Sequence, residues 1–347
     1  MKLAPTKRSE LIRRFLLNAI KAGNTEFLHD AMEIFGLSRQ AIHGHLAALV
    51  KLGCLAATGV TRGRSYILGP VRSHVVTFPL VGLSESDVYY RDFGFMFKDL
   101  PREIENICQY GFTEMLNNAI DHSVGQEVTV AVERNLADIT INITDDGEGI
   151  FKHIARIMGL NDPRESILEL SKGKLTTDPD NHSGQGIFFS SRAFDHFYIA
   201  SGELFFSHTD GDNNDWLLHR EKEFPGTIVD MQIALDSDRT LRSVFDMFTG
   251  NEDEDFAFNK TVVPIKLALY EGERLVSRSQ AKRILNRVEK FKTVWLDFSG
   301  VDSIGQAFAD EVFRVFARQH PEIELTSRNY NEDILRMILA ATSGSSK

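Results

Sequence analysis

Cysteine is scarce in this chain: Cys54 and Cys108 are the only two among 347 residues. Both sit in apolar surroundings, KLGCLAA and ENICQYGF, without a metal-ligand spacing around them. That excludes a disulfide framework and argues for buried free thiols in a reducing compartment. Long apolar runs are lacking too. No stretch approaches the roughly 20 residues a membrane helix requires, and the opening MKLAPTKRSE has no signal-peptide core. A cytoplasmic location is the expectation. The chain also has no GxxxxGKS or GxxxxGKT loop, which excludes phosphate binding by that route.

The length allows two or three domains with cores of their own. Net charge is −10, but it is unevenly distributed. Residues 1–70 hold ten Lys/Arg against four Asp/Glu, so a head of charge +6 precedes a strongly acidic body. An anionic partner is therefore expected for the head alone.

The stretch FTEMLNNAIDHSVGQEVTVAVERNLADITINITDDGEGI, residues 112–150, organises the rest. At helical spacing Glu114, Asn118 and Asp121 share one stripe, and Phe112, Leu116 and Ile120 another. Further on, Ile139, Ile141, Ile143 and Asp145 alternate with polar residues, the pattern of a strand with one buried face. Asp145 then points inward and Asp146 does not. A carboxylate at the inner end of a strand needs a donor, and an adenine amino group is a suitable one. Gly147 and Gly149 let the backbone turn and let a flat ligand approach.

Glu114, Asn118 and Ala119 match an ExxxNA box, and Asp145, Gly147 and Gly149 a DxGxG box. Gly184 and Gly186 in SGQGIFFSSRAF form a second glycine box, and Thr227 in GTIVDMQI shares the inward parity of Val229, Met231 and Ile233. In this order the four elements resemble the GHKL superfamily of ATPases, which includes gyrase and the histidine kinases. The resemblance implies a Bergerat-type α/β sandwich over residues 101–238, with ATP and Mg²⁺ as cofactors. It implies that Glu114 polarises the attacking water and Asn118 holds Mg²⁺. Asp145 would read adenine, backed by Thr227, while the amides after Gly184 and Gly186 cradle phosphates at a helix N-terminus. Residues 151–183 correspond to the family's lid, from which Lys172 or Lys174 would reach a phosphate; a solvated lysine is the plainer expectation for either. Asp121 and His122 have only a tying role in this reading.

Ahead of this module, RSELIRRFLLNAIKA, TEFLHDAMEIFG and LSRQAIHGHLAALVKLGCL read as three helices. Ser38 caps the third, whose Ile42, Leu46, Leu49 and Leu52 face a core. AATGVTRGRSYILG follows as a hairpin tipped by Gly63. The order resembles a winged helix-turn-helix domain over residues 1–70. The resemblance implies DNA as partner, with Arg39, Gln40, His43 and His45 presented from the third helix and Arg62 and Arg64 from the wing. A homodimer is implied by the same analogy. A metal site at His43 and His45 is not, because residues two apart on a helix do not share a face. Residues 71–100 read as a connector with a short strand and a helix started by Ser84 or Ser86.

Residues 257–342 alternate strand and helix three times, an α/β layer. The segment VWLDFSGVDSIGQAFADEVFRVF resembles the STAS-like domain found fused to GHKL modules. It also resembles anti-sigma-factor antagonists, whose DSSG motif carries a phosphorylated serine. Here Asp302, Ser303, Ile304 and Gly305 occupy that motif, so the usual acceptor position is Ile304, and Ser303 reads as a cap or turn residue. The whole is expected as an α+β multidomain chain: winged helix, ATPase sandwich, then a small STAS-like layer. Two functions follow from the resemblances. One is a DNA-binding regulator switched by ATP binding or hydrolysis. The alternative is a serine/threonine kinase acting on a STAS-type domain or partner.

Overall fold

The computed structural model describes residues 5–59, 64–175, 184–209, 216–250, 257–269 and 273–343. Arg62 and residues 176–183 of the expected lid lie outside them. The chain divides into two units, residues 1–75 with 131–140, and residues 76–130 with 141–347.

In the first unit, apolar residues at helical spacing decide the packing. Helices α1 (Pro5–Lys21), α2 (Phe27–Phe35) and α3 (Arg39–Lys51) bury Ile12, Leu16, Ala31, Ile42, Leu46 and Leu49 in one core. Helix α2 stops at Gly36, which takes a left-handed conformation, and Ser38 caps α3 by accepting a hydrogen bond from the Ala41 amide at 3.3 Å. Strands β1 (Leu55–Thr58) and β2 (Ser65–Leu68) then pair antiparallel. Leu52, expected in the core, is 55% exposed. The helix ends one residue earlier and the chain turns away at Gly53, so the stripe does not extend that far.

Strand β3 (Arg72–Pro79) is more than a connector. It forms one edge of a five-stranded sheet ordered β3-β4-β5-β7-β6, with β4 at Glu127–Arg134, β5 at Asp138–Asp145, β6 at His196–Thr209 and β7 at Trp216–Ala234. Alternation fixes the sheet's faces: Val128, Val130, Val132, Ile139, Ile141 and Ile143 are buried. After β3, Ser84 caps α4 (Glu85–Asp87), which runs through a π-helical stretch, Val88–Phe93, into α5 (Gly94–Phe97). Helix α6 (Arg102–His122) follows and buries Ile107, Phe112, Met115 and Leu116. At Gly111 it lies against Phe194 and Met231 so closely that no side chain would fit.

Helices α7 (Ile150–Met158), α8 (Pro163–Lys172) and α9 (Gly186–Ala193) come between β5 and β6. Helix α10 (Leu241–Phe248) leads into the C-terminal layer, with strands β8 (Lys260–Pro264), β9 (Thr293–Asp297) and β10 (Glu324–Arg328) parallel in the order β10-β9-β8. Between them lie α11 (Arg278–Leu285), α12 (Gln306–Asp310), a π-helical segment Glu311–Phe316 and α13 (Ala317–Gln319); α14 (Glu332–Ser343) closes the layer. The α+β architecture with several sheets matches expectation. Ser303 does not cap α12: Gly305 stands at that position, Ser303 is exposed and Ile304 is buried. Residues 257–342 lie in the second unit, as do residues 101–238 apart from 131–140.

Candidate functional site

A cavity of about 360 Å³ opens where α6, the end of β5, the start of α7, the start of α9 and β7 converge. Glu114, Asn118, Asp145, Gly184, Gly186 and Thr227, spread over more than 110 positions of sequence, all line it. The helical stripe and the strand parity read from the sequence thus meet at one place.

Asp145 ends β5 with its side chain inward and only 6% of its surface exposed. The Gly147 amide donates to Oδ1 at 2.9 Å and the Thr227 amide at 3.2 Å. Burial pushes the carboxyl's pKa up, and these amides oppose the shift. A carboxylate has about four acceptor sites, so capacity remains for a donor from the cavity. Thr227 also accepts from the Ile150 amide at 3.0 Å, tying the start of α7 to β7. Asp146 points the other way, accepting from the Gln126 and Glu127 amides at 2.7 and 3.0 Å, which hold its carboxyl below the usual range.

The glycines shape this loop rather than line the cavity. Gly147 abuts the Ser123 carbonyl, where a Cβ would collide, and the Glu148 amide donates to the same oxygen at 2.9 Å. The loop is thereby stitched to the end of α6. Gly149 has a positive φ of 89° and leaves no space beside the Ser201 hydroxyl.

Across the cavity, Glu114 and Asn118 lie one helical turn apart on α6. The Glu114 carboxylate rests against Gly186 at the N-terminus of α9, where any β-carbon would strike it. Partly unpaired amides at a helix start favour negative charge. The Asn118 amide meets the Met115 sulfur at 3.9 Å, a weak contact that leaves its carbonyl oxygen available as a ligand. Gly184 has a φ of 66° and accepts from the Leu175 amide at 3.1 Å, bringing residues 175 and 184 side by side.

Two lysine expectations are corrected. Lys174 is turned away from the cavity: its Nζ donates to the Lys290 carbonyl at 2.7 Å and lies 4.7 Å from the centre of the Phe291 ring. Its backbone has a φ of 51°, just after Gly173 with φ 79°. Lys172 is not solvated but 1% exposed, donating to Glu169 Oε1 and the Asn286 carbonyl, each at 2.8 Å. No lysine or arginine is among the described residues lining the cavity.

Two histidines also line the cavity: His122, given only a tying role from the sequence, and His153, which sequence reasoning missed. His122 lies on the stripe of Glu114 and Asn118, and the spacing alone would have found it. His153 comes from α7, its Nδ1 2.5 Å from Glu148 Oε1, and its ring 6.0 Å from that of His122. Arg156, then His153, hold the Glu148 carboxyl below its ordinary pKa. Asp121 is exposed and outside the lining.

On the first unit, Arg39 and Gln40 are exposed on α3, His43 is half-buried, and Arg64 is exposed with its guanidinium 5.5 Å from the Tyr66 ring centre. Burial, then Arg13, lowers the His45 pKa from its ordinary value.

Residues 280–335 match the family model of a STAS-like domain of unknown function (DUF4325). The C-terminal layer is thus STAS-like. No curated protein matches the chain. Among the described residues, no helix is long and apolar enough to cross a membrane.

Proposed function

We propose that the cavity binds Mg·ATP in the manner of GHKL ATPases, and that binding or hydrolysis switches how a winged-helix head engages DNA. The observation that carries this reading is Asp145: a buried carboxylate fixed by two backbone amides, facing the same cavity as Glu114 and Asn118. A buried acceptor of this kind is suited to an exocyclic amino group of a purine.

The donor set fits a magnesium ion held mainly by phosphates and water. No cluster of three or more His, Cys, Asp or Glu occurs among the described residues, and Mg²⁺ at triphosphates commonly takes only one or two protein ligands. Asn118 would hold it, and the ion would neutralise charge on the phosphate oxygens. With no lysine or arginine on the described lining, the remaining phosphate donors in this reading are the amides at the start of α9. Glu114 takes the proton of the attacking water as the oxygen bonds to the γ-phosphorus and the bond to ADP breaks.

For the head, the support is its charge of +6 and the exposed Arg39, Gln40 and Arg64. The kinase alternative is weaker because the motif's acceptor position is a buried Ile304.

Calorimetry with Mg·ATP and a non-hydrolysable analogue tests the binding, and release of labelled phosphate tests turnover. Glu114→Ala is expected to retain binding while turnover falls by roughly 10²- to 10⁴-fold. Absence of heat with either nucleotide defeats the proposal. Label appearing on Ser303 or on a partner protein, in place of free phosphate, favours the kinase.

A further inference from the structure

Glu169 and Lys172, both buried, form with the partly buried Arg287 an ionic cluster that the nucleotide chemistry does not use. Lys172 Nζ donates to Glu169 Oε1 at 2.8 Å, and Arg287 Nη1 donates to Glu169 Oε2 at 2.9 Å. The Asn286 side-chain amide adds a bond to Glu169 Oε1 at 3.2 Å, while its carbonyl accepts from Lys172. Arg287 also donates to the Lys174 carbonyl. Glu169, Lys172 and Lys174 belong to α8 and the residues just after it; Asn286 and Arg287 belong to the STAS-like segment.

Burying the Glu169 and Lys172 charges beside Arg287 costs free energy that the same volume of apolar side chains would not. Their fixed geometry makes them suited to setting the register between two packed elements. Backbone conformation points the same way: Lys174 and Arg287, both non-glycine, adopt left-handed φ of 51° and 63°, and each is bonded to the opposite segment. Such conformations persist where surroundings over-determine them.

Apolar packing reinforces the junction at the cavity's other wall. Phe188 and Phe189 of α9 pack on Phe258 with ring centres 4.8 and 4.9 Å apart, and Phe258 packs on Phe291 at 5.4 Å. Thr261 of β8 donates to the Lys172 carbonyl at 2.6 Å. Leu170, between Glu169 and Lys172, and Leu175 line the cavity, as do Gly186 and Ile187 at the start of α9.

We infer that the STAS-like layer is a structural part of the nucleotide site: Arg287, acting through Glu169 and the Lys174 carbonyl, is a positioning residue that sets the cavity wall at Leu170 and Leu175. This rests on the nucleotide reading above. Occupancy of the cavity and the state of the C-terminal layer are then coupled, and by linkage the coupling is reciprocal.

The test compares the full chain with its Arg287→Met and Arg287→Lys variants by calorimetry with Mg·ATP and by hydrogen exchange without nucleotide. For Arg287→Met the expected result is binding weakened roughly five- to 150-fold, the span of typical coupling energies, together with faster exchange over residues 165–175. Arg287→Lys, which reaches Glu169 but not also the Lys174 carbonyl, is expected to restore part of the affinity, and it serves alone should the methionine variant not fold. In the parent chain, Mg·ATP is expected to slow exchange over residues 284–291. Variants that bind nucleotide as the parent does, or a parent whose residues 284–291 exchange identically with and without nucleotide, overturn the inference and leave the proposed function standing. A parent that takes up no nucleotide overturns both.

Discussion

Burial disfavours the charged form of Asp145 in the ligand-free fold. Its carboxyl is buried and its pKa is raised, so folding favours the protonated form, and the native state loses stability as pH rises through the folded-state pKa. A neutral amide is easier to bury at this position than a charged carboxylate. Asp145→Asn retains an oxygen for the Gly147 and Thr227 amides but can no longer accept as an anion. Without nucleotide, the variant is expected to melt above the parent at pH 7, and the difference is expected to shrink as pH falls through the carboxyl's pKa. Nucleotide binding should weaken by about 1.5 to 3 kcal/mol, the value of a hydrogen bond to a charged group. Melting curves across pH, paired with calorimetry, separate the two effects. A variant less stable than the parent at neutral pH would show that Asp145 is structural.

A second residue-level prediction concerns Gly186. A β-carbon there strikes the end of the Glu114 side chain, which is flexible enough to move, so the helix should survive. Gly186→Ala is expected to keep nucleotide affinity within a few-fold and to lose turnover nearly as Glu114→Ala does, read by phosphate release. Equal turnover in variant and parent would mean that Glu114 is not held in place by this contact.

At the scale of elements, legibility followed the range of the interactions. The stripe on α6 and the alternation in β5 are local patterns, and they located Glu114, Asn118 and Asp145 in the lining of one cavity. The alternating C-terminal layer was legible for the same reason. Lys172 was not, because the carbonyl that receives its ammonium lies 114 positions away, at Asn286. Leu52 continued a helical stripe on paper, but Gly53 turned the chain first. His153 became a cavity residue only through the fold of α7 onto β7, which no local period reveals.

Helix α3 offers a prediction at this scale. Gly44 interrupts a helix whose other face is well packed, and a β-carbon there would meet nothing within 4 Å. Glycine inside a helix costs roughly 0.5 to 1 kcal/mol against alanine, and nothing in the described packing offsets that cost. Gly44→Ala is therefore expected to raise the melting temperature of the head. In the DNA reading the bare backbone permits close approach to a groove, so the same substitution should weaken DNA binding while stabilising the fold. Thermal melts and fluorescence anisotropy on duplex DNA measure the two. Stabilisation with undiminished binding would remove this face of α3 from the interface.

For the whole molecule, the separation of charge gives the proposed switch a quantitative form. The basic head binds DNA chiefly through phosphates if the reading holds, so affinity should fall steeply with salt. Arg39→Ala combined with Arg64→Ala is expected to reduce the slope of log affinity against log salt by about 0.9 for each phosphate contact removed. Nucleotide acts on this equilibrium only if it distinguishes the DNA-competent state from the alternative. Should Mg·ATP change DNA affinity by some factor, DNA must change Mg·ATP affinity by the same factor, because both legs close one thermodynamic cycle. Glu114→Ala makes the comparison clean, since it is expected to hold nucleotide without consuming it during the titration. Anisotropy with and without Mg·ATP gives one factor, and calorimetry with and without DNA gives the other. Two equal factors different from one establish the switch; two factors of one leave ATP binding and DNA binding as independent properties of the chain and remove the regulatory link between them.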